Sequence, residues 1–397
     1  MKKLYTILVV MFPILSVYAT PIPKLSAADM AMVLLLPIFI VGFLIKKNKI
    51  KSKVIPVTVF IFYILLTLLM QIALKENVSV LSTIRYVLYL IFLLLAFEYF
   101  IFQYGVKVLK IVTLSVSIYV IIQYLTYSLF SFTLPWCIEG LKVMDESFIL
   151  MKQSEYYMTF YRPTGIFMEP THFAQYCVVY LVYLLLYDVK QKLQLFNALL
   201  VTAAVIASGS SLGFIFLIIV WGIYYAKKQK YRFTPLKLTA AIFIIFIIAS
   251  IIFRIDYFQQ IVLRVVTDNG FNGEAVGYRF NSISIFQNQD IPIFNRVFGF
   301  GRSSSEVYLT GIFYFLYSNG IIGLLLYIWI CIDAAIRSKD FGRWLVVIAF
   351  ILSIGSEFIC NFGILFYFSF VYALNKGQIL SQQIELVRYR TNDIVCN

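Results

Sequence analysis

Apolar residues run through this chain in blocks of roughly 17 to 25 positions, each long enough to cross a bilayer as a helix, separated by short polar or basic interruptions. The blocks lie near 4–20, 28–45, 54–74, 82–103, 110–131, 171–187, 193–208, 211–226, 237–253, 307–332, 343–358 and 360–375. This pattern predicts an all-α polytopic membrane protein of about 12 transmembrane helices, built as a single integral membrane domain over residues 1–397. No internal repeat is visible. The first block, "MKKLYTILVVMFPILSVYAT", also fits a signal peptide with a small-residue site at "VYA", although as the first of many spans it reads better as a retained anchor.

Composition supports the pattern. Hydrophobic residues make up 61% of the chain, charged ones 13%, and mean hydropathy is +0.88, far outside the soluble range. A net charge of +14 could signal nucleic acid, but the placement of the charges gives another reason for it. With the amino terminus inside, the connections on that side are "KKNKIKSK", "GVKVLK", "DVKQK", "KKQKYRFTPLK" and "RSKDFGR", followed by the tail after Lys376. With both termini they hold about two thirds of the 33 lysines and arginines, while the opposite face holds about two thirds of the 19 acidic residues. Short basic loops kept in the cytoplasm account for the excess, so the lipid bilayer is the partner and no nucleic acid is called for.

Soluble chemistries find little footing. Five cysteines without CxxC or CxH spacing and a single histidine build no metal or redox site. There is no P-loop, no dinucleotide fingerprint and no GxSxG elbow, so no cofactor is expected. Two outer-face connections are long, about 132–170 and 254–306, and their Phe, Tyr, Ile and Leu content suits an ordered cap over an active site. Within the second, Phe258–Val266 reads as a short amphipathic helix.

These loops also carry arginines on the face where the positive-inside rule disfavours them: Arg162, Arg254, Arg264, Arg279, Arg296 and Arg302. A planar guanidinium that stays charged and donates in pairs suits phosphate, although single members could equally meet lipid headgroups or solvent. Arg279 could instead pair with Glu274 or Asp290, and Arg302, between "FGFG" and "SSS", could mark a backbone anion pocket or a plain turn. The stretch "YRPTGIFMEPTHFAQY" gathers Arg162, Glu169 and His172 at the entrance to a predicted span. Pro170 suits the first helical turn, which puts Glu169 at the helix N-terminus and His172 on the same face. Two readings are open there: a capping acid with a histidine one turn in, or a functional carboxylate at the membrane boundary.

"RPTGIFMEPTHFAQY" resembles the hallmark of Wzy-type O-antigen and capsular repeat-unit polymerases, in which Arg, Gly-x-Phe and Glu-Pro-Ser/Thr-x-Phe-Ala lead from an outer loop into a helix. "GYRFNSISIF", "VFGFGRSSSEVY" and "LYSNGIIGLLLYIW" are similar to later family blocks in the same order, so the likeness covers about residues 160–330. The Glu-Pro block is the specific part. The resemblance implies the C-type membrane glycosyltransferase fold shared with O-antigen ligases, in the inner (plasma) membrane with the active site on its periplasmic face. It implies an undecaprenyl-diphosphate-linked oligosaccharide as both donor and acceptor, a separate co-polymerase that sets chain length, and no metal. Arg279, Arg162 and Arg302 would then stabilise the departing diphosphate. Glu169 would take the acceptor proton or orient the hydroxyl, and His172, Arg264, Tyr161 and Tyr278 would contact substrate. Three other readings compete: an O-antigen ligase, a lipid-linked oligosaccharide flippase or transporter, and a non-catalytic scaffold. The 254–306 loop lacks the histidine typical of ligases, and the spans lack the midplane charges expected of a transporter.

Overall fold

A computed structural model describes residues 1–45, 55–145, 161–187, 192–228, 291–304, 309–338, 341–357 and 359–374. Among these residues the chain is helical, without strands; one isolated bridge joins Ala19 to Ser26. In order, the helices are α1 (Lys2–Leu15), α2 (Ala27–Ile45), α3 (Ile55–Ala73), α4 (Val80–Tyr99), α5 (Phe102–Phe130) and α6 (Pro170–Val182, continued by a π turn over Tyr183–Tyr187). They are followed by α7 (Lys192–Ala207), α8 (Ser211–Lys228), the short α9 (Ile293–Phe298), α10 (Gly311–Arg337), α11 (Phe341–Gly355) and α12 (Cys360–Leu374). A π turn over Ile359–Gly363 opens α12.

Five of these helices are long and apolar enough to cross a membrane: α2, α3, α4, α5 and α10, with mean hydropathies from 1.9 to 2.5. Their surfaces carry the same message. On α2, Leu34, Ile38, Val41 and Ile45 are 52–75% exposed at helical spacing, and on α3 Phe62, Leu66 and Leu69 are 57–69% exposed. Continuous apolar stripes of this kind are inside-out for water and natural for lipid. The protein is therefore membrane-embedded.

The chain divides into two compact units, residues 1–110 with 288–397, and residues 111–287. In the first, α10 packs on α3, α9 and α11, and α1 packs on α2 and α4. Its aromatic core joins Tyr5 to Phe39 and Phe92 at centroid distances of 5.2 and 5.3 Å, and the Tyr99 hydroxyl donates to the Phe39 carbonyl at 3.0 Å. A buried polar tie crosses the starts of α2 and α4. Ser26 and Asp29 form a reciprocal capping box at 3.1 Å each way, Tyr89 donates to Asp29 at 2.6 Å, and Arg85 lies 3.5 Å from the same carboxylate. In the second unit α6 packs against α7 and α8, which also pack on each other.

Three boundaries differ from the apolar pattern. The first block was expected over 4–20, but α1 ends at Leu15, and residues 16–26 turn back so that Ala27 N–H reaches the Tyr18 carbonyl. The predicted connection "GVKVLK" lies inside α5, because the break falls earlier, at Phe100, whose backbone is extended. That break is tolerated because Thr6 Oγ1 accepts the Ile101 N–H at 3.0 Å, so no donor is stranded. The block expected over 307–332 starts at Gly311 and runs to Arg337, interrupted at Gly320. The span at 237–253, the Phe258–Val266 helix, residues 146–160 of the first long loop and most of the second lie outside the described residues.

Candidate functional site

In the second unit, residues 161–169 form an irregular strap that leads into α6. Backbone away from helices is tolerated in a membrane protein only where its polar groups find partners. Here they do: Gly165 exchanges two hydrogen bonds with the Gln123 amide, at 2.9 and 3.3 Å, and Phe167 N–H closes a turn on the Thr164 carbonyl at 3.1 Å. Gly165 is obligatory at its φ of +64°, where a Cβ would also press on Val116 and Val120. Tyr161 is buried, its ring stacked on Tyr127 at 4.4 Å, so that face is spent on packing rather than offered to a sugar. Phe167 packs on Tyr176 at 5.2 Å and anchors the far end.

Glu169 occupies the N-cap position of α6 with extended backbone (φ −129°, ψ 152°), and Pro170 takes the first helical turn. Its carbonyl accepts the Phe173 N–H at 3.2 Å, but its side chain makes no capping bond. The half-buried carboxylate is thus placed at a helix entrance without being consumed by it. Arg162 and His172 are half-buried on the same stretch of chain. One short segment therefore carries four of the residues singled out from sequence: Tyr161, Arg162, Glu169 and His172.

In the first unit, "FGFGRSS", residues 298–304, is laid on an interruption of α10. Gly320 adopts φ 65° and ψ −175°, and the carbonyls this frees at Tyr317 and Ser318 accept the N–H groups of Phe300 and Gly301 at 2.9 and 3.0 Å. Gly299 and Gly320 meet backbone to backbone, where any Cβ would overlap. Tyr63 donates to the Asn319 carbonyl at 2.6 Å and Gln71 to the Gly299 carbonyl at 3.2 Å. The Phe300 and Gly301 amides are thus committed to α10 carbonyls and are not offered to an anion.

Arg302 is 2% exposed. Its guanidinium lies 4.1 Å from the Tyr86 ring centroid and 5.2 Å from that of Tyr314, and Nη2 donates to the Cys360 carbonyl at 2.6 Å and to Asn361 Oδ1 at 3.3 Å. The Cys360 carbonyl sits in the π turn, where Asn361 departs from helical geometry. Nε and Nη1 have no hydrogen-bond partner, and no carboxylate among the described residues pairs with the group. A buried cation held only by neutral groups is costly, and its two idle donors are those an anion would take.

Arg264, Arg279 and Tyr278 lie outside the described residues. The structure adds residues that the sequence did not single out: Gln123, a polar position inside a long apolar helix, and Tyr86, Tyr314 and Asn361 around Arg302. Gln123 could have been found as an amide in a membrane span, whereas the Arg302 contacts come from segments far apart in sequence and left no local signal. Among the described residues no three His, Cys, Asp or Glu side chains are grouped to hold a metal ion. Searches of protein-family models, curated proteins and solved structures find no match to this chain.

Proposed function

We propose that this protein is a membrane glycosyltransferase that polymerises oligosaccharide repeat units carried on undecaprenyl diphosphate, at the outer face of the plasma membrane. The observation that carries the reading is Arg302: a buried guanidinium, unpaired by any described carboxylate, with Nε and Nη1 free to donate. A lipid-linked diphosphate is the anion that a membrane-embedded arginine of this kind suits, because it arrives by way of the bilayer and presents oxygens to a planar fork.

In the reaction, an acceptor sugar hydroxyl attacks the anomeric carbon of the donor glycan. The new glycosidic C–O bond forms as the bond from that carbon to the diphosphate oxygen breaks, and the hydroxyl proton passes to Glu169. The sequence resemblance assigns Arg302, Arg162 and Arg279 to the charge that develops on the leaving diphosphate, a role in which fixed donors lower the barrier without reorganising. Glu169 supports the base role because its carboxylate is held at the start of α6 and makes no capping bond. His172 and Arg264 are assigned to substrate contact, as is Tyr278, whereas the stacked ring of Tyr161 leaves it a supporting part.

The test is a strain lacking its own repeat-unit polymerase, complemented with the wild-type chain, Glu169→Gln or Arg302→Met at matched membrane levels, with surface polysaccharide resolved on a gel. Wild type should restore a ladder, and both variants should leave single repeat units on the acceptor. A wild-type chain that restores no ladder while single units are still transferred would overturn the reading. Loss of even the single unit would point to ligation or flipping.

A further inference from the structure

The strap that carries Arg162 and Glu169 is held from one face of α5. Val116, Val120, Gln123 and Tyr127, spaced by four, three and four residues, meet it in turn: the two valines border Gly165, Gln123 bonds it, and Tyr127 stacks on Tyr161. Three of these contacts are apolar and tolerant of small shifts. The fourth is directional. Gln123 is fully buried, its Oε1 accepts the Gly165 N–H at 2.9 Å, and its Nε2 donates to the Gly165 carbonyl at 3.3 Å and to the Pro135 carbonyl at 2.9 Å. The amide can face only one way, since a flip would set its oxygen against both carbonyls and its NH₂ against the Gly165 N–H.

We propose that Gln123 is a positioning residue: its amide fixes the Gly165 turn and thereby the placement of Arg162, three residues before it, and Glu169, four residues after it. This rests on the polymerase reading for its consequence, though not for its geometry. Both bonds are made to backbone, so no side chain of the strap can substitute for them. Gln123 and Gly165 are both buried in the protein, so solvent does not readily take over if the bonds are lost. A packing role and a positioning role part company at Gln123→Leu, which keeps the apolar bulk but has neither donor nor acceptor.

The experiment uses the full chain with its five cysteines replaced by serine or alanine, a single reporter Glu169→Cys, and a control reporter Ile22→Cys. Labelling by a membrane-impermeant maleimide is timed with Gln123 intact, with Gln123→Leu and with Gln123→Glu. Positioning predicts that Gln123→Leu changes the labelling rate at residue 169 by about tenfold and leaves residue 22 unaffected. Gln123→Glu, which keeps the length and one acceptor, should fall between, and it supplies the readout if the leucine variant does not insert. An unchanged rate at residue 169 in these variants overturns the inference whatever the polysaccharide ladder does. In the chain with native cysteines, Gln123→Leu should shorten the ladder. A full ladder in Glu169→Gln would instead overturn the catalytic reading while leaving the labelling result to stand for positioning.

Discussion

Arg302 and Glu169 are the two side chains whose surroundings are hardest to explain by packing alone. The guanidinium gives Nη2 to the Cys360 carbonyl and to Asn361 Oδ1 and leaves two nitrogens idle, so an apolar replacement removes an unpaired buried charge at the cost of those two bonds and the contact with the Tyr86 ring. Arg302→Met should therefore shift stability by less than about 1 kcal/mol, because the two effects oppose each other. Polymerisation should fall by on the order of 10²-fold or more, the usual scale for a transition-state donor. Thermal melting in detergent beside a rate measurement separates the two. A large loss of stability would assign Arg302 to the fold instead. Glu169→Gln makes the complementary case: with no capping bond to lose, stability should stay within about 0.5 kcal/mol, while a lost general base costs about 10²- to 10⁴-fold in rate. Equal rates for Gln and Glu would leave the residue as a helix-entry element.

At the scale of elements, the informative features are breaks. The interruption of α10 at Gly320 and the π turn that opens α12 each free backbone groups, and the loop from Phe300 to Arg302 takes up carbonyls from both. Gly320→Ala places a Cβ in a region of φ and ψ open to glycine alone and against the Val297 carbonyl, so it should cost about 1–3 kcal/mol or more. A melting temperature like that of the wild type would show that the interruption is not fixed. The buried tie at the starts of α2 and α4 makes a second test. Asp29→Ala removes the capping box and the acceptor of Tyr89, while Arg85 keeps its bond to the Lys24 carbonyl, and should cost on the order of 2 kcal/mol, read from the same melting curve.

Helix-forming segments were legible in the sequence because a bilayer demands long apolar runs, and α2, α3, α6, α7 and α8 begin and end within about two residues of the apolar blocks. Breaks were not legible. The end of α4 at Tyr99 depends on a hydroxyl from α1 rather than on a local Gly or Pro, and the short first helix depends on a bridge formed after the chain turns back. The placement of Glu169 before Pro170 was readable from residue order alone, because proline suits the first turn and the preceding residue must be extended. The commitment of the "FGFG" amides to α10 was not, since both partners are backbone and leave no side-chain signature. Ser26 and Asp29 spell a visible S-x-x-D capping signal that the apolar pattern alone passes over.

For the whole molecule, the exposed apolar stripes of α2 and α3 make it a membrane protein, and its functional reading is that it uses lipid-borne anionic substrates. The most direct test is reconstitution of the purified chain in vesicles with an undecaprenyl-diphosphate-linked repeat unit as the only substrate, following glycan length and released undecaprenyl diphosphate together. The account predicts lengthening products, with one carrier released for each linkage formed, no requirement for a nucleotide sugar, and loss of both signals in Arg302→Met. Folded protein that releases no carrier and makes no product longer than the supplied unit would contradict it.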